Sequence, residues 1–431
     1  MTITHKPGMR IAIIGAGCSG LTAIKHLLEA GLQDIVCYEQ SGQIGGNWAY
    51  SATPGYSGIS CMTHTISSKA LSQFSDFPMP ADYPDYPSHQ QILAYFQAYA
   101  SHFRLEKFIR FNIAVRRVEK IDGERWRLFL SDGAQSEADY LLVANGHLTV
   151  PRHPEWRENF TGRYLHTHDF KTNEGLRNQR VLVVGAGNSG CDCAVEASHA
   201  ASQVDISLRT PQYIIPKIVM GKPVDTFAAS LQWLPQSVQS LLQKLSLRLQ
   251  IGRYRDYGLP EPGFSPTQAH PTVNSAIFDK IRHGKIRPRP GIRRVSGNTV
   301  HFADGAAEQY DVIVAATGYK ISFPFFDPDF IDWEESAQVP LYLRIFHPAH
   351  PSLFFAGLIQ PQGCLWTLTE VQSKLIGRLL TGKINLPANW RELAIDEGSD
   401  WARRFIARPR HSLEVHYYPY LKQLQRVLAG K

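Results

Sequence analysis

Short, unbroken apolar runs recur along the chain, and two of them end the same way. Residues 11–20 read IAIIGAGCSG and residues 181–190 read VLVVGAGNSG. Four consecutive apolar residues suit a strand buried on both faces, and glycines follow at once. Residues 19–30 then read as a helix stopped by Gly31, and DIVCYE at 34–39 reads as a second strand. The order strand, turn, helix, strand returns over 180–209. It opens a doubly wound α/β sheet. Between the two copies the pattern predicts a helix at 89–103 and strands at 107–120, 125–130 and 138–144, with SDG at 131–133 as a turn. Further on, VHFADG and YDVIVAATG (300–318) predict strand, turn and strand. PSLFFAGL (351–358) predicts a buried strand and 366–381 a helix. No repeat beyond the two glycine turns is legible.

Three stretches break this rhythm. Residues 40–88 mix Gly, Pro and aromatics without a period, as in GGNWAY and FSDFPMPADYPDYP. A loop of that length in a compact protein usually carries function. Residues 236–251 follow a run of prolines and have a helical period. Val238, Leu241, Leu242, Leu245 and Leu249 share one face, with Lys244 and Arg248 off it. The period predicts a helix packed on its own domain through that face. A substrate-entry lid or a membrane-surface helix is the alternative. Residues 282–294, RHGKIRPRPGIRR, are strongly basic. Interleaved Pro and Gly without stacking aromatics predict a solvated turn rather than a nucleic-acid surface.

The glycines carry the first chemistry. Gly15, Gly17 and Gly20, and again Gly185, Gly187 and Gly190, have the G-x-G-x-x-G spacing. Such a turn brings backbone close to a pyrophosphate and aims the N–H groups of a helix start at it. The tip of each second strand separates the two ligands. Glu39 stands nineteen residues after Gly20, where a carboxylate bonds ribose hydroxyls and repels a 2′-phosphate. Arg209 stands nineteen residues after Gly190, where a guanidinium takes a 2′-phosphate. The first site therefore reads as FAD or NAD and the second as NADP. A protein holding FAD and NADPH can pass a hydride between them. GGNW at 45–48 lets backbone approach the ribityl-phosphate region, with Trp48 as a packing surface or a plain core residue.

Composition narrows the rest. The 431 residues are enough for two or three domains, and 43% apolar with 19% charged residues is ordinary for a globular protein. A net charge of +7 suits an anionic ligand. Six scattered cysteines form no C-x-x-C, so neither zinc nor a dithiol centre is expected, and a reducing compartment fits. His166 and His168, two apart, do not have a zinc spacing. No metal is expected. No secretory signal and no run of about 20 apolar residues is visible, so a membrane span is not expected.

Several segments then resemble one family. FTGRYLHTHDFK (160–171) is similar to the F-x-G-x-x-x-H-x-x-x-[F/Y]-K signature of the flavin-containing monooxygenases, the class B flavoprotein monooxygenases. Ala316-Thr317-Gly318-Tyr319, GNSGCD at 187–192 and FSDFPMP at 74–80 also resemble family segments. The likeness runs from about residue 9 to about 385. It implies an α/β fold with two dinucleotide-binding, Rossmann-like domains, the NADP domain inserted into the FAD domain. The divisions expected are 1–170 and 311–431 for FAD and 171–310 for NADP.

The same resemblance implies FAD reduced by NADPH and a C4a-hydroperoxyflavin that oxygenates an amine nitrogen or sulfur of a small organic substrate with O2. Related Baeyer–Villiger enzymes carry Trp near the end of the linker signature. Phe170-Lys171 stands here and favours the N- and S-oxygenating branch. Expected FAD contacts are Gly15, Gly17, Ser19, Gly20, Glu39, Asn47, Trp48 and Thr65, with Gln360, Gln362, Thr317 and Gly318 nearby. Expected NADP contacts are Gly185, Gly187, Asn188, Ser189, Gly190, Arg209 and Thr210, with Lys217 as a further phosphate candidate. Asn145 is placed at the flavin edge. One position departs from the family. In HTISSK (64–69) Ile66 stands where an Asn beside the flavin is usual. Isoleucine cannot hydrogen-bond, so Thr65 or Ser67 is the candidate replacement. A Baeyer–Villiger or decarboxylating oxygenase, or an NADPH oxidase releasing hydrogen peroxide, is the alternative outcome. The animal enzymes' C-terminal anchor is not seen, so a cytoplasmic enzyme is expected, with a homodimer left open and no nucleic-acid partner.

Overall fold

The computed structural model describes residues 8–336, 338–405 and 412–430. Two five-stranded parallel sheets organise the chain. The spatial order of the first is Leu353–Phe355, Tyr140–Val143, Ile11–Ile14, Ile35–Tyr38, Ile109–Arg110. That of the second is Arg163–His166, Val312–Ala315, Arg180–Val184, Gln203–Leu208, Ile286–Pro290. Position by position the second repeats the first. Each fingerprint strand is central, and its neighbour on one side follows a three-stranded antiparallel meander. That meander is Val115–Ile121, Arg125–Leu130, Gln135–Ala138 in the first unit and Ile292–Ser296, Thr299–Phe302, Ala307–Gln309 in the second. The repeat thus extends well past the glycine turns. Sequence periodicity missed it because a meander's pattern is set by its exposed face, which is free to diverge.

Each sheet is buried on both faces, as its unbroken apolar strands require. The helices Cys18–Glu29, His89–His102 and Leu365–Leu380 cover one side of the first sheet. The meander and the Phe323–Trp333 segment cover the other. Helix His89–His102 starts at a capping box, Ser88 with Gln91, which satisfies two orphan N–H groups. Helices Asn188–Ala197 and Ala276–Arg282 cover the second sheet, with its own meander opposite.

Three expectations change. The second sheet reaches past 171–310 at both ends, taking Arg163–His166 and Val312–Ala315. An apolar run shows that a strand forms but not which sheet it joins. The basic stretch is not a solvated turn. Ile286–Pro290 is an edge strand, the place where prolines are tolerated. Its Arg287 and Arg289 bond the fully buried Asp205 at 2.9 and 2.8 Å, and Tyr310 donates to the same carboxylate at 2.6 Å. Finally, helix Gln236–Ile251 does not pack through its leucine face. Leu241, Leu245 and Leu249 are exposed, while Leu247 and Ile251 are buried. The period shows which residues share a face, not which face turns inward. Among the described residues no helix is long and apolar enough to cross a membrane.

Candidate functional site

Both glycine turns are built alike. Gly15 has φ +102° and Gly185 φ +105°, conformations that L side chains rarely adopt. A Cβ on Gly20 would lie 2.0 Å from the Gly15 carbonyl oxygen, and one on Gly190 would lie 2.0 Å from that of Gly185. Only hydrogen fits there, so each helix sits tight on its strand. Helices Cys18–Glu29 and Asn188–Ala197 have neither a side-chain cap nor an acid in the first turn. Their first N–H groups are left for an anion. The next strand over ends against each turn, Ala144 beside Gly15 and Ala316 beside Gly185. Asn145 and Thr317 are therefore equivalent positions. The runs VANG and AATG carry that signal in the sequence.

The first turn is closed in. Gly45 N–H bonds the Ala16 carbonyl at 3.2 Å, and Gly46 packs on Gly17 so closely that a Cβ there would lie 3.0 Å from its Cα. Glu39 is buried. Its carboxylate accepts from Ala16 N–H and Ser41 N–H, both at 2.8 Å. Ser19 is buried with its hydroxyl against Gly357. Trp48 meets Trp366 edge-on at 5.9 Å.

Asn47 accepts from Gly58 N–H at 2.8 Å through its side chain, and from Ser57 Oγ at 2.6 Å through its carbonyl. The linker signature holds the same loop. Lys171 Nζ donates to the Ser57 and Ile59 carbonyls, and His168 Nε2 meets the Gly55 carbonyl. Thr65 is buried, and its hydroxyl has no hydrogen-bond partner. Ile66 beside it is half-buried. Ser67 accepts from Ser72 Oγ at 2.7 Å.

The second turn is open. A Cβ on Gly187 would meet nothing within 4 Å, and Ser189 and Arg209 are exposed. Asn188 Oδ1 accepts from Val273 N–H at 2.8 Å. Thr210 is half-buried at the strand end.

Five expected contacts have other partners. Lys217 Nζ donates to the Thr65 carbonyl at 3.3 Å and lies over the Tyr86 ring. Burial holds its ammonium below lysine's ordinary value, and Asp192 pulls it back up. Gln362 Nε2 donates to the Thr267 and Ala269 carbonyls at 3.2 and 3.0 Å. Thr317 Oγ1 donates to the Arg152 carbonyl, and Gly318 accepts from Arg152 N–H at 2.9 Å. Asn145 Nδ2 donates to the Ser322 carbonyl at 3.1 Å. Gln360 is half-buried, its N–H on Leu413. Sequence reasoning missed Asp225, whose carboxylate takes Ser68 N–H at 2.6 Å. That bond ties helix Val224–Ser230, of the second unit, to the loop that carries Ile66. A lone Asp in a proline-rich stretch gives no signal of such a contact.

Comparison with known proteins decides what the pair of turns belongs to. A family profile described as "Flavin-binding monooxygenase-like" matches residues 8–431. The chain belongs to this family. "Flavin-containing monooxygenase 5" of Rattus norvegicus is 33% identical over 96% of this chain and 82% of its own length. "Dimethylaniline monooxygenase [N-oxide-forming] 2" of Pan troglodytes is 32% identical over 98% of this chain and 83% of its own. Among solved structures, S-allyl-L-cysteine S-oxygenase from Allium sativum superposes with a TM-score of 0.74 at 22% identity, over 98% of this chain and 89% of that one. A cyclohexanone monooxygenase superposes with a TM-score of 0.71 at 18% identity, over 98% of both chains. As a member of the flavin-binding monooxygenase-like family, the protein is an FAD- and NADPH-dependent monooxygenase. The site fits that pair. The closed turn, with its buried acid and the unpartnered Thr65 hydroxyl, suits FAD, and the open turn with a free arginine suits NADPH.

Proposed function

We propose that this monooxygenase oxygenates a soft nucleophile, an amine nitrogen or a sulfur, on a small organic substrate. The observation that carries it is the N-oxide-forming relative, 32% identical over 98% of this chain. The cyclohexanone-oxygenating neighbour shares the fold at 18% identity and adds no substrate argument.

In this reading Gly15, Gly17 and Gly20 let backbone approach the FAD pyrophosphate, and the uncapped start of helix Cys18–Glu29 faces its charge. Glu39 holds the adenosine ribose, and Trp48 and Thr65 line the flavin side. Gly185, Gly187, Ser189 and Gly190 do the same for NADPH, and Arg209 takes its 2′-phosphate. Bound FAD, reduced by NADPH, supplies the activated oxygen that the nucleophile takes up. The chain's own part is to orient and to exclude water. Lys171 and His168 pin the loop beside the first turn. Lys217, Asp225 and Gln362 close the seam between the two units. Asn47, Asn145, Asn188, Thr317 and Gly318 act by position, holding loops and turns. The 171–310 division, widened by its two flanking strands, is the NADPH unit.

A second reading rests on Ile66. With no hydrogen-bonding group at that position, uncoupled release of hydrogen peroxide is the competing outcome. One titration separates the two. The FAD-loaded enzyme is given limiting NADPH with a tertiary amine or a thioether, and product and peroxide are counted. About one product per NADPH is expected. Peroxide equal to NADPH with every substrate overturns the proposal. A dimeric state and a cytoplasmic location belong to the same set of proposals.

A further inference from the structure

Each nucleotide turn belongs to its own unit, so the seam between the units sets how the two bound ligands meet. One segment of the second unit, residues 267–273, is tied to both sides. At its C-terminal end it grips the second turn. Thr272 Oγ1 donates to the Ala186 carbonyl at 2.8 Å, and Val273 N–H donates to Asn188 Oδ1 at 2.8 Å. At its N-terminal end it is held by the first unit. His270 Nδ1 lies 3.1 Å from Glu414 Oε2, beside the two bonds from Gln362 Nε2 to the Thr267 and Ala269 carbonyls. Glu414 and Gln362 come from one small ribbon, in which Gln360–Pro361 pairs in parallel with Glu414–Val415. That ribbon follows Gly357, which lies against the Ser19 hydroxyl of the first turn. A continuous line of contacts therefore joins Ala186 to Ser19, and His270–Glu414 is where it crosses the seam.

This pair differs from other bonds across the seam. Glu414 is 0% exposed and His270 9%, whereas Lys217 and Asp225 are half-buried. A carboxylate only accepts, so the imidazole donates from Nδ1 and must be turned to do so. The same carboxylate acts on His147, two residues past Asn145. Burial holds that imidazole down to about 4, and Glu414 pulls it back up. Apolar packing has no direction and tolerates small slips. A buried charged bond does not, because leaving either partner unmet is costly, and such pairs fix a register more than they add stability. Register matters because reacting centres must approach to about 3–3.5 Å, and a misplacement of about 1 Å costs about a hundredfold in rate.

We propose that His270 and Glu414 are positioning residues for the reduction of FAD by NADPH. Their buried bond fixes the second turn against the first, and with it the gap the hydride crosses. The hydride carries two electrons from NADPH to FAD and leaves NADP+ and the anion FADH−. The pair gives and takes no proton in this step and acts only through the turns it joins. That role holds whichever substrate is oxygenated afterwards.

The test is anaerobic rapid mixing of the FAD-loaded enzyme with NADPH, read by loss of flavin absorbance. His270→Leu should lower the limiting rate at least about 30-fold, while half-saturation by NADPH moves less than about threefold. His270→Asn puts an amide N–H near the place of Nδ1, and Glu414→Gln retains an acceptor. Each should keep the limiting rate within about fivefold of native. His270→Leu/Glu414→Met replaces the pair by apolar groups of similar volume. It should melt close to the native chain yet reduce as slowly as His270→Leu. Hydrogen exchange without nucleotide gives a second readout. Loss of the pair should speed exchange of the Val273 amide in the second unit and of the Gln360 and Gln362 amides in the first. A double variant that reduces at the native rate overturns the proposal. So does faster exchange confined to one unit, or a defect in NADPH affinity or FAD content alone. Where the double variant melts early, His270→Leu and His270→Asn decide, and equal loss in both overturns the proposal.

Discussion

The two units share one plan and treat their ligands differently. Their sheets have the same strand order, their turns the same φ, and both helix starts lack a cap. Yet the first turn is roofed by Gly45 and Gly46, and its strand-end acid is buried and bonded to two N–H groups. The second turn lies open and its strand-end arginine is exposed. A roofed turn keeps what it holds, and an open one lets its ligand exchange. One cofactor that stays and one that comes and goes is what a reductant-driven oxygenase needs. The difference arises from loops laid over a common frame, not from the frame itself.

The sharpest way to break this comparison is to spoil one turn at a time. Gly20→Val forces atoms onto the Gly15 carbonyl oxygen and should give protein without bound FAD, read by absorbance after purification. Gly187→Glu meets only open space, so it should purify yellow while anaerobic reduction by NADPH slows at least about a hundredfold. Arg209→Gln comes next. Loss of a charge-assisted contact should raise KM for NADPH about 30-fold with kcat and KM for NADH little changed. Glu39→Gln gives up one of two acceptors and should weaken FAD about tenfold, measured by flavin release on dilution, without moving KM for NADPH.

The smallest effect concerns a place where the units differ inside the frame. His166 pairs with Ala315 where Phe355 pairs with Val143 in the first sheet. Burial pushes the His166 imidazole down to about 4, with His153 and His168 adding to it. The unfolded chain, near 6.5, therefore binds a proton between these values that the folded chain refuses. Stability falls as pH drops through that window, by about 1 kcal/mol at pH 6. Burial lowers His26, His147, His347 and His416 likewise, so urea unfolding at pH 6 and pH 8 should show a larger total loss in the native chain, and one smaller by about 1 kcal/mol in His166→Gln.

Much of this plan is legible in the sequence because it rests on close backbone contact. Only glycine satisfies the turns, and strand-end Glu39 and Arg209 sit at a fixed distance from them. What depends on partners far along the chain is not legible. Asn47, Lys217 and Gln362 have side chains suited to phosphate or flavin, but loops and seams claim them. Asp225 shows nothing until helix Val224–Ser230 meets the Ile66 loop. The helix at 236–251 was found by its period, yet period alone does not orient a face. Arg287 and Arg289 read as solvated until Asp205 is seen beneath them.

The edge strands also differ in when they are made. Arg163–His166 leaves the ribosome before the rest of its sheet, so the second unit can close as it emerges. Leu353–Phe355 and helix Leu365–Leu380 are translated after the whole second unit, although they complete the first. The first sheet therefore cannot be completed until the second has been made. A premature stop anywhere between residues 320 and 350 would release a chain whose second sheet has all its strands and whose first lacks an edge. Its Tyr140–Val143 strand would be left as an open apolar edge, a template for pairing with another copy.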